Sequence, residues 1–353
     1  MKILYLYSEI MGYTMATVCA LVEKGAEVEI VHWDHKKLTS YQHPQLTGVR
    51  FYKRSQHDYR SLWGIVQDIN PDITVVSGWM DNTYLRVAFN LRQRNKFVVC
   101  CLDNHWKATF KQFVNCFLGK VGLFRLFFSH IWVAGNYQYE YATRLGFKRN
   151  AILRDLYSAE VSLFQREFLQ RKGEKSKNYP YRFLYVGRIE PVKGVHLLLS
   201  AWQKFKGNRR YQKWELHLIG DGSLTPLFRD IRGVFTRPFC EPNEVAREMS
   251  EAGVFLLPSL QEPWGVVLHE AVAAGLPLVA SDMVGAATAF LIPGSNGFSF
   301  EAGNEESLLE ALTLIAENDH EGMVRMAGRS YDLSFRITPD TSAANLLSIL
   351  HTS

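Results

Sequence analysis

Short apolar runs alternate with helical stretches along this chain, and the alternation runs through twice. KILYLY leads to a helical segment around Thr14 to Lys24, which Gly25 ends, and VEIVHW follows. DITVVSGW, FVVCCLDN and HIWVAGN repeat the theme with helical segments between them. Further on, RFLYVGR, WELHLIGDG, VFLLPS and LPLVASD are strand-like, and VHLLLSAWQKF and SLLEALTLIAEN are helical. Apolar strands of this kind, separated by helices, are buried on both faces, which requires parallel sheets covered by helices. The predicted class is α/β, with two doubly wound Rossmann-like domains.

The rhythm breaks once. QREFLQRKGEKSKNYP (165–180) is polar, mostly basic and ends in Pro180, which predicts an exposed linker. It would separate an N-terminal domain, 1–164, from a C-terminal one, 181–336. A short helix, about 337–353, closes the chain, and its composition leaves open whether it packs back on the first domain. At 353 residues two full cores are affordable. Ligands of doubly wound sheets sit outside the carboxyl ends of the strands, so the expected site is an interdomain cleft faced by both sets of strand ends.

No apolar run reaches the ~18 residues a membrane span needs, and Ser8 and Glu9 arrive too early for a signal-peptide core. A cytoplasmic protein is the expectation. Five cysteines show no metal-ligand spacing, and Cys100 and Cys101 sit in an apolar run as small hydrophobes. The net charge of +5 hides an asymmetry. Between Arg86 and Arg154 twelve Lys/Arg face only Asp103 and Glu140, a local balance of +10, so the remainder carries −5. Such a region calls for an anionic partner.

Three motifs carry chemistry. In YVGRIEPVKG (185–194) a strand ends, Gly187 permits a sharp turn, and Arg188 and Lys193 precede a helix. Two cations beside a helix N-terminus suit a diphosphate, although a solvated loop with incidental charges explains the spacing equally well. IGDGS (219–223) is a second strand end, closing in a turn. In QEPWGVVLHEAVAAGLPLVASD (261–282), Gly265 opens a helix and leaves its own amide and those of Val266 and Val267 unpaired, an anion site. Glu262 and Glu270 stand eight residues apart in it, about 12 Å if helical. A glycosidase pair needs roughly 5 to 9.5 Å. Separate jobs along an extended ligand fit better than a shared proton, with ordinary surface carboxylates as the plain alternative.

Taken together, YVGRIEPVKG, LIGDG, LLPSLQEPWGVVLHEAVAAGLPLVASD and GSNGFSF resemble the nucleotide-binding half of retaining glycosyltransferases of the GT-B fold, family GT4. The resemblance covers about 110 residues, in order and spacing; the N-terminal half matches in architecture only. It implies that Arg188 and Lys193 hold the diphosphate of a nucleotide sugar and offset leaving-group charge. It implies Glu270 on the ribose hydroxyls, Glu262 on the donor sugar and the Val266 and Val267 amides on phosphate. FTRPFCEP matches where the family cradles the base, making Arg237 and Phe239 candidates. No metal and no cofactor are implied, and no D-x-D occurs in the chain. Two departures stand out: VGAATAF carries Gly285 and Thr288 where the family has paired glycines and a glutamate, and YSEIMGY offers only Gly12 for a glycine-rich turn.

In the N-terminal half, CLDNHWKATFKQ ends a strand with Asp103, Asn104, His105 and Trp106. His105 is a candidate to orient or protonate, against the plain reading of a histidine satisfied locally. Phe110, Phe113 and Phe117 recur at helical spacing among Lys107, Lys111, Lys120 and Arg125. Packing against the sheet is the first expectation for that stripe, and docking on an anionic membrane the second. The implied activity is a metal-independent hexosyltransferase moving sugar from a nucleotide-sugar donor to a glycan or polyprenyl-diphosphate-linked acceptor. Bacterial surface polysaccharide synthesis, at the inner face of the membrane, is the implied setting. A non-catalytic nucleotide-binding or scaffold subunit and a nucleotide-sugar epimerase are the alternatives. No G-x-G-x-x-G follows a strand and no nucleic-acid module is visible, so neither a dehydrogenase nor a nucleic-acid partner is expected.

Overall fold

The computed structural model describes residues 1–34 and 44–351, which form two units: Met1–Ser158 with Pro339–Ser353, and Ala159–Thr338. The first unit holds β1 (Lys2–Tyr7), β2 (Glu27–His32), β3 (Val49–Lys53), β4 (Ile73–Val76), β5 (Phe97–Leu102), β6 (His130–Val133) and β7 (Ile152–Leu153). Among the described residues they make one parallel sheet, in the order β3-β2-β1-β4-β5-β6-β7. The central strands are apolar and buried throughout, as in ITVV of β4. β3 is different. Its alternate residues Arg50 and Tyr52 reach the buried Glu29 carboxylate on β2, a pairing that keeps a carboxylate inside a sheet. VRFYK is too mixed to read as a strand from its pattern alone.

The second unit holds β8 (Arg182–Val186), β9 (Glu215–Ile219), β10 (Val234–Arg237), β11 (Val254–Leu257), β12 (Leu278–Ser281) and β13 (Gly297–Phe300). They form another parallel sheet, in the order β10-β9-β8-β11-β12-β13. Strand order therefore reverses between β8 and β11, the switch point where doubly wound sheets open a crevice. On one side of β8 lies an aromatic core of Phe183, Trp202, Phe205, Tyr211 and Trp214, with Phe183 stacked on Trp214 at 4.4 Å between ring centroids. Asn296, buried, accepts from the Ile292 amide and donates to the Phe290 carbonyl and Ser330 hydroxyl. GSNGFSF is thus a structural return, in which any Cβ on Gly297 would meet the Leu278 carbonyl at 2.0 Å.

The stretch 165–180 is not an exposed linker. Val161–Lys175 is a helix that buries Leu163, Phe164 and Phe168 within the second unit, and the first unit ends at Ser158. Polar and charged residues outnumber the apolar ones in its sequence, but Val161, Leu163, Phe164 and Phe168 recur at helical spacing and take the buried side. Even Lys175 is buried there, its ammonium without a hydrogen-bond partner among the described residues and its pKa lowered to about 7 by burial, with Arg171 and Arg182 adding to the shift. Phe168 lies against Gly275, whose φ of +62° closes the helix before β12. Phe168→Leu should therefore cost about 1 to 1.5 kcal/mol in chemical denaturation. A linker position would tolerate the change within about 0.5 kcal/mol.

The final helix, Pro339–Leu347, and the turn Ser348–His351 pack on the first unit; residues 352–353 of the expected helix lie outside the described residues. Ser342 donates to the Asp155 carbonyl, Asn345 to the Asp155 carboxylate, and Lys24 pairs with Asp340 at 2.8 Å.

Candidate active site

Three loops close on one another at the carboxyl ends of β8, β9 and β10. The Gly187 amide bonds to the Ile219 carbonyl, the Ile189 amide to the Asp221 carbonyl and the Gly220 amide to the Arg237 carbonyl. Glycine is required at two of these points by contact alone. A Cβ on Gly220 would stand 2.0 Å from the Gly187 carbonyl oxygen, and one on Gly222 would stand 2.2 Å from that of Ile189. Tyr185 donates its hydroxyl to the Arg188 carbonyl at 2.6 Å, and Glu190 accepts from the Ser223 amide and hydroxyl, which holds its carboxyl below the usual range. IGDGS is therefore the clamp on the Arg188 loop as well as a turn.

Across the switch point the β11 end joins in. The Leu260 amide bonds to the Val192 carbonyl, and a Cβ on Gly194 would meet the Pro258 carbonyl at 2.0 Å. That seam brings Lys193 and Glu262, 69 positions apart, into an ion pair, each mostly buried, with the Ser259 hydroxyl as a second donor to Glu262 at 3.3 Å. Arg188 is exposed, and its guanidinium makes no ion pair among the described residues. Gly265, at φ +87°, caps the Val266–Ala273 helix. The Leu268 amide already bonds to the Gly265 carbonyl, so the Val266 and Val267 amides stand at the open helix start. One turn further in, Glu270 keeps little exposure and no hydrogen bond to its carboxyl among the described residues. Burial pushes it up to about 7, with Glu160 adding to the shift. The neighbouring His269 is held between the Ala159 amide and Ser334 carbonyl, and burial lowers it to about 4.

The base-side candidates differ. Phe239 presents a half-exposed ring on a backbone fixed by its amide to the Asp221 carboxylate at 2.9 Å. Arg237 is committed instead to an ion pair with Glu248, which also faces Arg182 at 3.7 Å. The departure at VGAATAF is structural: a Cβ on Gly285 would meet the Pro263 carbonyl at 2.1 Å, and Thr288 donates to the Gly285 carbonyl. Tyr185, Glu190, Asp221 and Ser259 were not singled out as site residues by sequence; only their adjacency to the glycine motifs marked them.

His105 and Gly12 belong to the first unit. Gly12 opens the Gly12–Glu23 helix after β1, and its φ is not positive. Its neighbour Tyr13 packs edge-on against Tyr157, which donates to Asp103 at 3.4 Å. Burial raises the Asp103 carboxyl. His105 is not satisfied locally: it is buried, both ring nitrogens lack a hydrogen-bond partner among the described residues, and burial together with Lys107 lowers its pKa. Among the described residues no group of three His, Cys, Asp or Glu has the spacing of a metal site.

Residues 166–331 match the family model described as glycosyl transferases group 1. The sulfoquinovosyl transferase SQD2 of Arabidopsis thaliana is 29% identical over 207 residues, 51% of this chain and 39% of that protein. A lipopolysaccharide 1,6-galactosyltransferase of Salmonella typhimurium is 23% identical over 306 residues, 81% of this chain and 77% of that protein. The first relatives are matched over 39%, 51% and 36% of their own length, so the chain spans at most about half of each. Among solved structures, Anabaena Alr3699/HepE in complex with UDP has a TM-score of 0.73 at 17% identity, over 100% of both chains. Sucrose-phosphate synthase from Thermosynechococcus elongatus has a TM-score of 0.74 at 16% identity, over 99% of this chain and 98% of that one. Residues 166–331 are thus similar to the glycosyl transferases group 1, and the chain carries the GT-B fold.

Proposed function

We propose that this chain is a retaining hexosyltransferase that moves a sugar from a nucleoside-diphosphate donor to a glycan or polyprenyl-diphosphate-linked acceptor, in bacterial surface polysaccharide synthesis. The observation that carries the reading is the cluster at the β8–β11 switch point: the Lys193–Glu262 pair, the unpaired Arg188 and the open start of the Val266–Ala273 helix. Related folds solved with UDP and with UDP-glucose, and relatives that transfer galactose to lipopolysaccharide, support it.

In this reading the diphosphate lies against the Val266 and Val267 amides, with Arg188 and Lys193 supplying the positive charge that a metal ion supplies elsewhere. The bond from the anomeric carbon to the phosphate oxygen breaks while the acceptor oxygen bonds on the same face. The acceptor proton passes to the departing diphosphate, and Arg188 and Lys193 offset the charge that remains. Glu262, held by Lys193, hydrogen-bonds the donor sugar; Glu270 takes the ribose hydroxyls; Phe239 and the Arg237 backbone line the base, and Gly187 lets the loop turn. In the first unit, His105, neutral and with no hydrogen-bond partner for its ring nitrogens among the described residues, offers them to a sugar hydroxyl, and Gly12 begins the helix after β1.

A thermal-shift panel of nucleoside diphosphates and their sugars tests the reading. A ligand at ~100 times its dissociation constant adds about 2.7 kcal/mol, a rise of several degrees. One diphosphate and its sugar should raise the melting temperature, and the isolated chain should turn over that sugar. No shift with any of them would sink the proposal.

A further inference from the structure

The Phe110–Lys120 helix follows the His105 loop in the first unit, and its large side chains point away from the core. Phe110 is 85% exposed, Phe113 56%, Phe117 66% and Val121, just past the helix, 66%. Core packing, the first expectation for this stripe, therefore does not hold. The side facing inward is built from Cys116 and Gly119, and a Cβ on Gly119 would stand 2.2 Å from the Leu145 carbonyl oxygen. Only glycine allows so close a seat, and the small inward face turns the phenylalanines outward.

At about 100° per residue, Phe110, Phe113, Val114, Phe117 and Val121 fall within about 100° of arc, with Lys111 and Lys120 on either side of it. Leu123 and Leu126, also exposed, extend the apolar surface beyond the helix. From Asn104 to Tyr139 the chain has no Asp or Glu, and Glu140 is taken by Arg144 at 2.6 Å. Lys111 and Lys120 are exposed and make no ion pair among the described residues. A contiguous apolar stripe of this size on a monomer marks an interaction surface, and its lysine borders choose the partner. A second copy of the chain would bring like charges together, whereas lipid phosphates would complement them.

We propose that this face docks the chain on an anionic membrane surface. Phe110, Phe113 and Phe117 enter the boundary between headgroups and acyl chains, while Lys111 and Lys120 meet lipid phosphates. The Gln112 side chain donates to the His105 carbonyl at 2.8 Å and accepts from the Lys107 amide at 2.7 Å, which ties the helix to the loop carrying His105. Docking thereby seats that loop at the surface, where an acceptor with a lipid anchor presents its sugar. The docking itself does not depend on the donor-site reading.

Co-sedimentation of the full chain with phosphatidylcholine vesicles, with and without phosphatidylglycerol, tests it. Binding should require phosphatidylglycerol and weaken as salt rises. Phe113→Ser with Phe117→Ser, and separately Lys111→Glu with Lys120→Glu, should each weaken binding at least about tenfold. Neither double variant should change nucleoside-diphosphate binding, and the lysine variant should also keep the parent melting temperature, whereas Phe113→Ser gives up an edge-on contact with Trp106. Three results would overturn the proposal: no binding at low salt, binding that survives both double variants, or self-association without vesicles that the phenylalanine changes abolish. The last would assign the face to a second copy.

Discussion

Lys193→Ala is expected to lower kcat/KM by about 100- to 1000-fold, most of it in kcat. The magnitude is that of removing one donor aimed at charge developing in a transition state, about 2.7–4 kcal/mol. The substitution also strips Glu262 of its ion-pair partner, leaving the Ser259 hydroxyl as donor to a mostly buried carboxylate. That should cost about 1–3 kcal/mol of stability. The two effects separate in the double variant Lys193→Ala, Glu262→Gln, which removes the stranded charge. Its stability should return toward the parent value while turnover stays low. If Lys193→Ala keeps turnover within about threefold of the parent, the cation is structural and its transition-state role is lost.

Glu270→Gln should change both stability and nucleotide affinity, with opposite dependence on pH. Burial raises this carboxyl from 4.5 to about 7, so the folded protein holds its proton where the unfolded chain has released it. The stability contribution is fully present below about pH 4.5 and is lost as pH rises to about 7. At most the loss is about 3 kcal/mol, and residual exposure makes it smaller. Glutamine carries no such charge. Glu270→Gln should therefore melt several degrees above the parent at pH 8 and close to it at pH 5.

Ligand binding runs the other way. In the proposed donor site ribose hydroxyls donating to Glu270 would favour its ionised form, so diphosphate affinity should rise with pH up to about 7, with a proton released on binding below that. Calorimetry in buffers of different ionisation enthalpy reads that proton directly. Glu270→Gln should bind about 10- to 100-fold more weakly, the value of hydrogen bonds to a charged group, and release none. Unchanged affinity together with no proton release would remove Glu270 from the nucleotide site.

The strands that could be read in advance are those buried on both faces. VFLL is wholly apolar, LVAS and ITVV carry a single small polar residue each, and no helix start or stop signal competes with them. VRFYK at an edge of the first sheet and VFTR at an edge of the second are half polar because edge strands meet water, so neither shows a period long enough to register. The helix Val161–Lys175 was hidden for a related reason. Its charged residues outnumber Leu163, Phe164 and Phe168, and composition weighs all positions equally whereas burial uses only one face.

For the candidate site, the glycines, the cations and the two glutamates were legible because each belongs to a local constellation: a strand end, a turn, a helix start. Their partners were not. Lys193 meets Glu262 only because β8 and β11 are neighbours, and Arg237 meets Glu248 only because the Pro242–Glu251 helix returns past β10. Nothing within either segment announces such a pair.

By itself, the sequence determined the α/β class, the two-sheet organisation and the family that residues 166–331 resemble, since periodicity, glycine placement and motif spacing are local properties. Tertiary structure alone decided which charges pair, that most of 165–180 belongs to the Val161–Lys175 helix rather than to a linker, and which way the Phe110–Lys120 helix faces. A stripe at i, i+3, i+4 and i+7 has the same period whether it meets a core or water. Which it meets is set by the opposite face, where Gly119 lets the helix press against the Leu145 carbonyl and leaves the phenylalanines outside.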